Sequence, residues 1–178
     1  MDSYADTNAG FVHVYTGEGK GKTTAALGLA LRAAGAGWNV FLGQFAKGMR
    51  ASECAILRRL ADRFTFRQFG RSGFIGRVPD PADRRCAEEG VAECTEVLLA
   101  GDHRLVVLDE VNVAVAMGLI PVDALLELIA LRSDPVELVL TGRWAHPRVV
   151  ERADLVTEMR QVKHYYQHGV PARAGIER

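Results

Sequence analysis

A run of strand-forming residues, Phe11-Val12-His13-Val14-Tyr15, passes directly into Thr16-Gly17-Glu18-Gly19-Lys20-Gly21-Lys22-Thr23-Thr24. That loop in turn enters the helix-favouring stretch 25–32. Strand, glycine loop and helix in this order put the loop at a sheet edge and a helix N-terminus, a cradle for polyphosphate. Gly17, Gly19 and Gly21 let successive amides turn inward with no Cβ in the way, and the opening helix adds unpaired N–H groups and a positive dipole end. Lys22 then presents a point charge to phosphate oxygens, and the Thr23 hydroxyl is a ligand for Mg²⁺. One position departs from the usual pattern, because the glycine expected five residues before Gly21 is Thr16. The loop is therefore expected to be specialised in shape.

Strand and helix keep alternating. After glycines 35 and 37 stop the first helix, residues 39–45 read as a second buried strand. Ser52 is placed to cap a helix running to about Leu60, residues 64–69 form a short strand, and 70–79 make a glycine- and arginine-rich loop of the kind that carries function. Asp80-Pro81 supplies an N-cap and a first-turn proline for a long helix that stops at Gly101. A helix over 122–131, a strand over 137–141, a helix from near Pro147 and a strand over 155–159 complete the series. The expectation is an α/β fold: a mainly parallel sheet with helices on both faces and a P-loop NTPase (RecA-like) architecture. A single nucleotide-binding domain over 1–178 follows, with a flexible N-terminus at 1–10 and a polar C-terminal tail over 160–178.

The second diagnostic stretch is Leu105-Val106-Val107-Leu108-Asp109-Glu110, a continuous apolar run ending in two carboxylates. It looks like a Walker B strand. Ligands of parallel sheets lie beyond the carboxyl ends of the strands, so Asp109 and Glu110 should reach the same edge as the phosphate loop. One carboxylate holds Mg²⁺ or its water and the other orients the shell, which gives Thr23, Asp109 and Glu110 as the metal set.

Composition narrows the partners. Lys plus Arg and Asp plus Glu each total 22, so no global basic field exists to hold nucleic acid. The longest apolar helix candidates are broken by Arg32, Asn112, Asp123 or Glu127, and the first ten residues lack signal-peptide character. A cytoplasmic protein without a membrane segment is expected. Cys54, Cys86 and Cys94 form no Cys-x-x-Cys pair and read as reduced thiols. His164 and His168 have helical metal spacing but no Cys or acidic companions.

Several further stretches are Gln44-Phe45-Ala46-Lys47-Gly48, Gly73-Phe74, Leu119-Ile120-Pro121, Thr141-Gly142-Arg143, Ala153-Asp154-Leu155-Val156-Thr157-Glu158-Met159, Val162-Lys163-His164 and Gly175-Ile176-Glu177. Together with the loop and the Asp109-Glu110 strand, and in this order, they closely resemble the ATP:corrinoid adenosyltransferases of the P-loop type. The resemblance spans about residues 11 to 177. It implies transfer of the 5′-deoxyadenosyl group of ATP to the cobalt of a reduced corrinoid, with release of triphosphate. The triphosphate would lie reversed in the cradle, a direction that the change at Thr16 suits.

The resemblance also implies roles for individual residues. Glu18, Lys20, Lys22, Thr23, Thr24 and the amides of Gly17, Gly19 and Gly21 would bind the triphosphate, and Arg32 and Gln44 would face the same region. Lys22 would stabilise charge on the leaving group. Phe74 would bind the corrinoid and displace an axial cobalt ligand before reduction, although the usual aromatic two residues later is Gly76 here. Thr141-Gly142-Arg143 would shape the site, and Lys163-His164 would fold back near ligand or partner. An electron-donating reductase and a homodimer are the implied partners. With the first strand starting near residue 11, the N-terminal lid helix common among similar proteins is not expected here. The alternative reading is another P-loop phosphotransferase or ATPase, which would need a phosphoryl acceptor or a positioned water. A nucleotide-switched binding module has less support, because no interaction tail or charge patch stands out.

Overall fold

The computed structural model describes residues 9–46, 48, 52–71 and 78–177. Six strands make one sheet: β1 (Val12–Thr16), β2 (Val40–Phe45), β3 (Phe64–Phe69), β4 (Leu105–Asp109), β5 (Glu137–Thr141) and β6 (Leu155–Glu158). Their order is β3-β2-β4-β5-β1-β6, and every pairing is parallel. The helices are α1 (Lys22–Gly35), α2 (Glu53–Arg59), α3 (Pro81–Ala100), α4 (Val111–Ala116), α5 (Val122–Leu131) and α6 (Pro147–Arg152), followed by a 3-10 turn at Tyr165–His168. The α/β expectation holds.

The apolar run of β4 shows why the sheet is covered on both sides. Leu105 and Val107 join a core with Ala26, Ala30 and Ala33 of α1 and Leu57 of α2. Val106 and Leu108 join the larger core with Ala87, Cys94 and Leu98 of α3, Leu125 and Leu128 of α5 and Val149 of α6. Successive strand residues face opposite ways, so a strand buried on both faces must be apolar at every position. On α1 the alanines recur at i, i+4 and i+7, a narrow small-residue stripe that lets the helix lie close on the sheet. Such a layout fixes the phosphate loop's position, because α1 starts at the edge where β1 ends.

Local signals set most of the boundaries. Asp80 caps α3 by accepting from the amides of Ala82 and Asp83, the Asp83 carboxylate returns a bond to the Asp80 amide, and left-handed Gly101 closes the helix. The Asp83 amide, with Arg71 and the Ala82 amide, holds the Asp80 carboxyl down at about 2. Ser52 corrects an expectation: its backbone is helical and its side chain caps nothing in α2. Its hydroxyl instead accepts from the Gly175 amide at 3.2 Å, in the C-terminal segment. Helix α4 was not foreseen, since Val-Asn-Val-Ala-Val-Ala favours strand by local propensity. Burial of Val111, Asn112 and Ala114 overrides that preference.

The edges differ in cover. All four residues of β6 are exposed, including Leu155 and Val156. Cys54 and Cys94 are buried free thiols and Cys86 is half-buried, and burial raises the pKa of Cys94. Among the described residues no helix is long and apolar enough to cross a membrane.

Candidate active site

Because β5 lies between β1 and β4, the loop after β1, Asp109 at the end of β4 and Thr141 at the end of β5 meet at one sheet edge. The glycines of the phosphate loop answer first to a neighbouring backbone. The Gly19 amide donates to the Met159 carbonyl at 2.6 Å, and the Met159 amide donates to the Thr16 carbonyl at 2.8 Å. A Cβ at Gly17 would stand 2.5 Å from the Met159 carbonyl oxygen, and one at Gly19 2.6 Å. Any side chain there would push the exit of β6 off the loop. Thr16 earns its place differently: its hydroxyl accepts from the Ala145 amide at 3.3 Å, tying the start of the cradle to the loop after β5.

Lys22, only 7% exposed, donates to the carbonyls of Gly17 and Gly19, both at 2.7 Å. An ammonium has three protons, so the side chain is curled over the loop with donor capacity remaining for phosphate. Burial and then the charge of Arg143 lower its pKa, while Glu110, Glu18 and Asp109 pull it back up. An ammonium under such desolvation gains more than an exposed one from a polyanion.

Asp109 is fully buried and is the hub of the edge. Its Oδ1 accepts from the hydroxyls of Thr23 at 2.8 Å and Thr141 at 2.6 Å, and its Oδ2 accepts from the Gln44 amide at 2.9 Å. The Thr141 hydroxyl in turn accepts from the Glu110 amide at 3.0 Å. One carboxylate thereby links α1, β2, β4 and β5. Glu110 follows in a left-handed conformation, φ 59°, which turns the chain into α4. The threonine hydroxyl and two carboxylates are hard oxygen donors of the kind that suits Mg²⁺.

The other residues singled out in the sequence separate into those brought to this edge and those held elsewhere. Gly21 precedes α1 with φ 120°, and Thr24 is exposed in the first turn. Glu18 is exposed and pairs with Arg143 at 3.4 Å. Lys20 donates to the Ile176 carbonyl at 2.6 Å, so its ammonium anchors the C-terminal segment. In that same segment the His164 ring accepts from the Tyr166 amide at 3.0 Å and caps the 3-10 turn. Gln44 is fully buried and receives a bond from Gln68 at 2.8 Å, so it holds Asp109 rather than facing the cleft. Arg32 stands in the last turn of α1, ten residues from Lys22 and so about 15 Å along the helix, outside the cluster. Phe74 lies outside the described residues.

Three features escaped the sequence reading. The Thr141 hydroxyl bonds Asp109 directly, Met159 buttresses the cradle through its backbone, and Asn112 is fully buried with neither amide atom hydrogen-bonded among the described residues. A Thr at a strand end was visible as a signal for the first. The Met159 contact joins segments distant in sequence, and the burial of Asn112 is set by packing, so neither leaves a local trace.

Comparison with known proteins agrees with this geometry. Residues 8–178 match the family model described as ATP:corrinoid adenosyltransferase BtuR/CobO/CobP. A corrinoid adenosyltransferase of Pseudomonas aeruginosa is 38% identical over 94% of this chain and 83% of its own length. The corrinoid adenosyltransferase CobA of Salmonella typhimurium is 35% identical, over 97% and 88%. Among solved structures, a KaiC-like protein of Pyrococcus horikoshii superposes with a TM-score of 0.57 at 18% identity, covering 83% of this chain and 71% of that one. At that identity the likeness speaks for the fold alone, a RecA-like P-loop core. By the length of the family match and the identity to its members, this chain belongs to the ATP:corrinoid adenosyltransferase family.

Proposed function

We propose that the protein transfers the 5′-deoxyadenosyl group of ATP to cobalt(I) of a reduced corrinoid and releases triphosphate. The observation that carries this reading is the family match across 8–178, with Lys22, Thr23 and Asp109 gathered at one sheet edge. A cobalt–carbon bond forms at C5′ as the C5′–O bond breaks, and the bonding pair leaves on the triphosphate. Cobalt(I) is itself the nucleophile, so the protein needs no activated Ser, Cys or His. Its work is to orient ATP, neutralise the leaving group and exclude water. Lys22 and the amides of the loop gather the charge that develops on the triphosphate.

The triphosphate lies reversed in the cradle, so that C5′ points toward the open side where the corrinoid arrives. The departure from glycine at Thr16 supports this reading, because it fits a cradle reshaped at its start. Thr23, Glu110 and Asp109 are the residues that would hold Mg²⁺, which when bound would offset charge on the phosphate oxygens. Glu110→Gln is expected to raise the Mg²⁺ concentration needed for half-maximal rate by about tenfold, for one lost charged ligand. An unaltered Mg²⁺ titration would assign the metal elsewhere.

Phe74 contacts the corrinoid and helps displace an axial ligand before reduction. Phe74→Ala should slow reactions begun from cobalt(II) more than reactions given preformed cobalt(I); equal losses would make Phe74 a packing residue. An electron-donating reductase supplies the cobalt(I), so purified protein with ATP and cobalt(II) but no donor should form no product. A homodimer is supported by the exposed Leu155 and Val156 on β6, and a purely monomeric sedimentation profile would contradict it. Cytoplasmic residence rests on the unpaired cysteines, and recovery in a secreted fraction would overturn it.

The deciding experiment is a product analysis with ATP, Mg²⁺ and chemically reduced cobalamin. Adenosylcobalamin and triphosphate are expected in equal amounts. ADP or orthophosphate as the stoichiometric product would place the chain among phosphotransferases or ATPases instead.

A further inference from the structure

Trp144 sits between two residues that both reach the phosphate loop. Arg143 pairs with Glu18 at 3.4 Å, and the Ala145 amide donates to the Thr16 hydroxyl at 3.3 Å. The indole is nonetheless 56% exposed, and its backbone has φ 58°. A left-handed backbone is uncommon for a bulky residue, and a large exposed ring adds little to the core. The turn is held from both ends, by Gly142 at φ 130° against Asn112 and by the α6 cap that His146 makes to the Arg148 amide. Strain kept in place by its surroundings and spent on presenting an exposed aromatic plane points to a ligand rather than to stability.

We infer that Trp144 is a stacking platform for the adenine base of ATP. This rests on the adenosyl-transfer reading, in which C5′ faces the open side of the edge. β5 lies between β1 and β4, so the loop after it leaves the sheet between the strand that carries the phosphate loop and the strand that ends in Asp109. A nucleoside leaving the cradle on that side meets Trp144, whereas ATP bound in the opposite direction sends its base away from this loop. Adenine suits the position better than the wider corrin, because the flanking Arg143 and Ala145 are in direct contact with the phosphate loop. Aromatic rings stack on bases through their π faces without needing further polar partners.

The chain has two tryptophans, which makes the idea readable by fluorescence. Trp38 lies just before β2, at the opposite edge of the sheet, with the Arg104 guanidinium 4.4 Å from its ring centroid. ATP should quench the emission of the wild-type protein, inorganic triphosphate should not, and Trp144→Phe should lose the ATP response. Trp144→Gly removes the ring and accepts the left-handed backbone, so it should melt no lower than wild type. Its KM for ATP should rise about tenfold, with Trp144→Phe restoring much of the difference and the KM for the corrinoid unchanged. Equal quenching by triphosphate, an unchanged KM for ATP, or a rise in the corrinoid KM instead would each reject adenine stacking. Those results with adenosylcobalamin still formed would overturn only the role of Trp144, whereas absence of adenosylcobalamin from the wild type would overturn the reaction itself.

Discussion

Asp109→Ala is expected to destabilise the fold by about 3–5 kcal/mol and to abolish measurable turnover, because it removes the acceptor for three buried or half-buried donors at once. The hydroxyls of Thr23 and Thr141 and the amide of Gln44 would lose their shared carboxylate where little water reaches. Asp109→Asn separates structure from chemistry. It keeps an oxygen for the two hydroxyls but sets an NH₂ against the Gln44 NH₂, a clash relieved only if Gln44 and then Gln68 turn their amides over. The loss of stability should therefore be smaller than for alanine, while activity stays low for want of the charge. Chemical denaturation of both variants checks the order, and equal stability of Asp109→Ala and wild type would refute the hub.

Lys22→Met is expected to lower kcat/KM for ATP by at least tenfold, the worth of roughly 1.5–3 kcal/mol of charge-assisted contact. Stability should move the other way or not at all. The folded-state pKa of Lys22 is lowered, so holding the ammonium in place opposes folding at neutral pH, and that cost fades as pH rises from the lowered value toward the ordinary 10.5. Methionine keeps the apolar stem and removes the charge. Thermal melts at pH 7 and pH 10 test this: the variant's advantage, if present at pH 7, should shrink at pH 10. Kinetics unchanged at low ATP would remove Lys22 from the mechanism.

The two variants bracket how the edge divides its labour. Asp109 is satisfied by the protein itself and contributes order, whereas Lys22 is desolvated beside Arg143 and only partly compensated by the Gly17 and Gly19 carbonyls and the nearby carboxylates. A site that spends stability on charge it does not fully neutralise is the ordinary compromise between folding and turnover.

Much of this was legible in the sequence. The strand at Phe64–Phe69, the helix at Val122–Leu131 and the strand at Glu137–Thr141 fall where their patterns predict, and Asp80-Pro81 and Gly101 delimit α3 through caps that depend on neighbours a few residues away. The phosphate loop and the Asp109-Glu110 strand were equally readable, since strand-loop-helix order and a run ending in carboxylates are local facts. Helix α4 was missed because its β-branched residues favour strand and only burial makes them helical. Gln44 and Lys20 carry the right chemistry for a nucleotide, but their bonds to Asp109 and Ile176, and the place of Arg32 about 15 Å down α1, were not legible in the sequence.

What the sequence determined by itself was therefore the alternation of elements, the polyphosphate cradle and the family. Each rests on spacing along the chain, and the 3.6- and 2-residue periods convert spacing into faces. Only the tertiary structure decided which groups share the edge. Strand order put Thr141 between the cradle and Asp109, brought Met159 against Gly17 and Gly19, and turned Thr16 from an irregularity into a tie to Ala145. Those contacts join residues more than a hundred positions apart in two of the three cases, and nothing local to either partner encodes them.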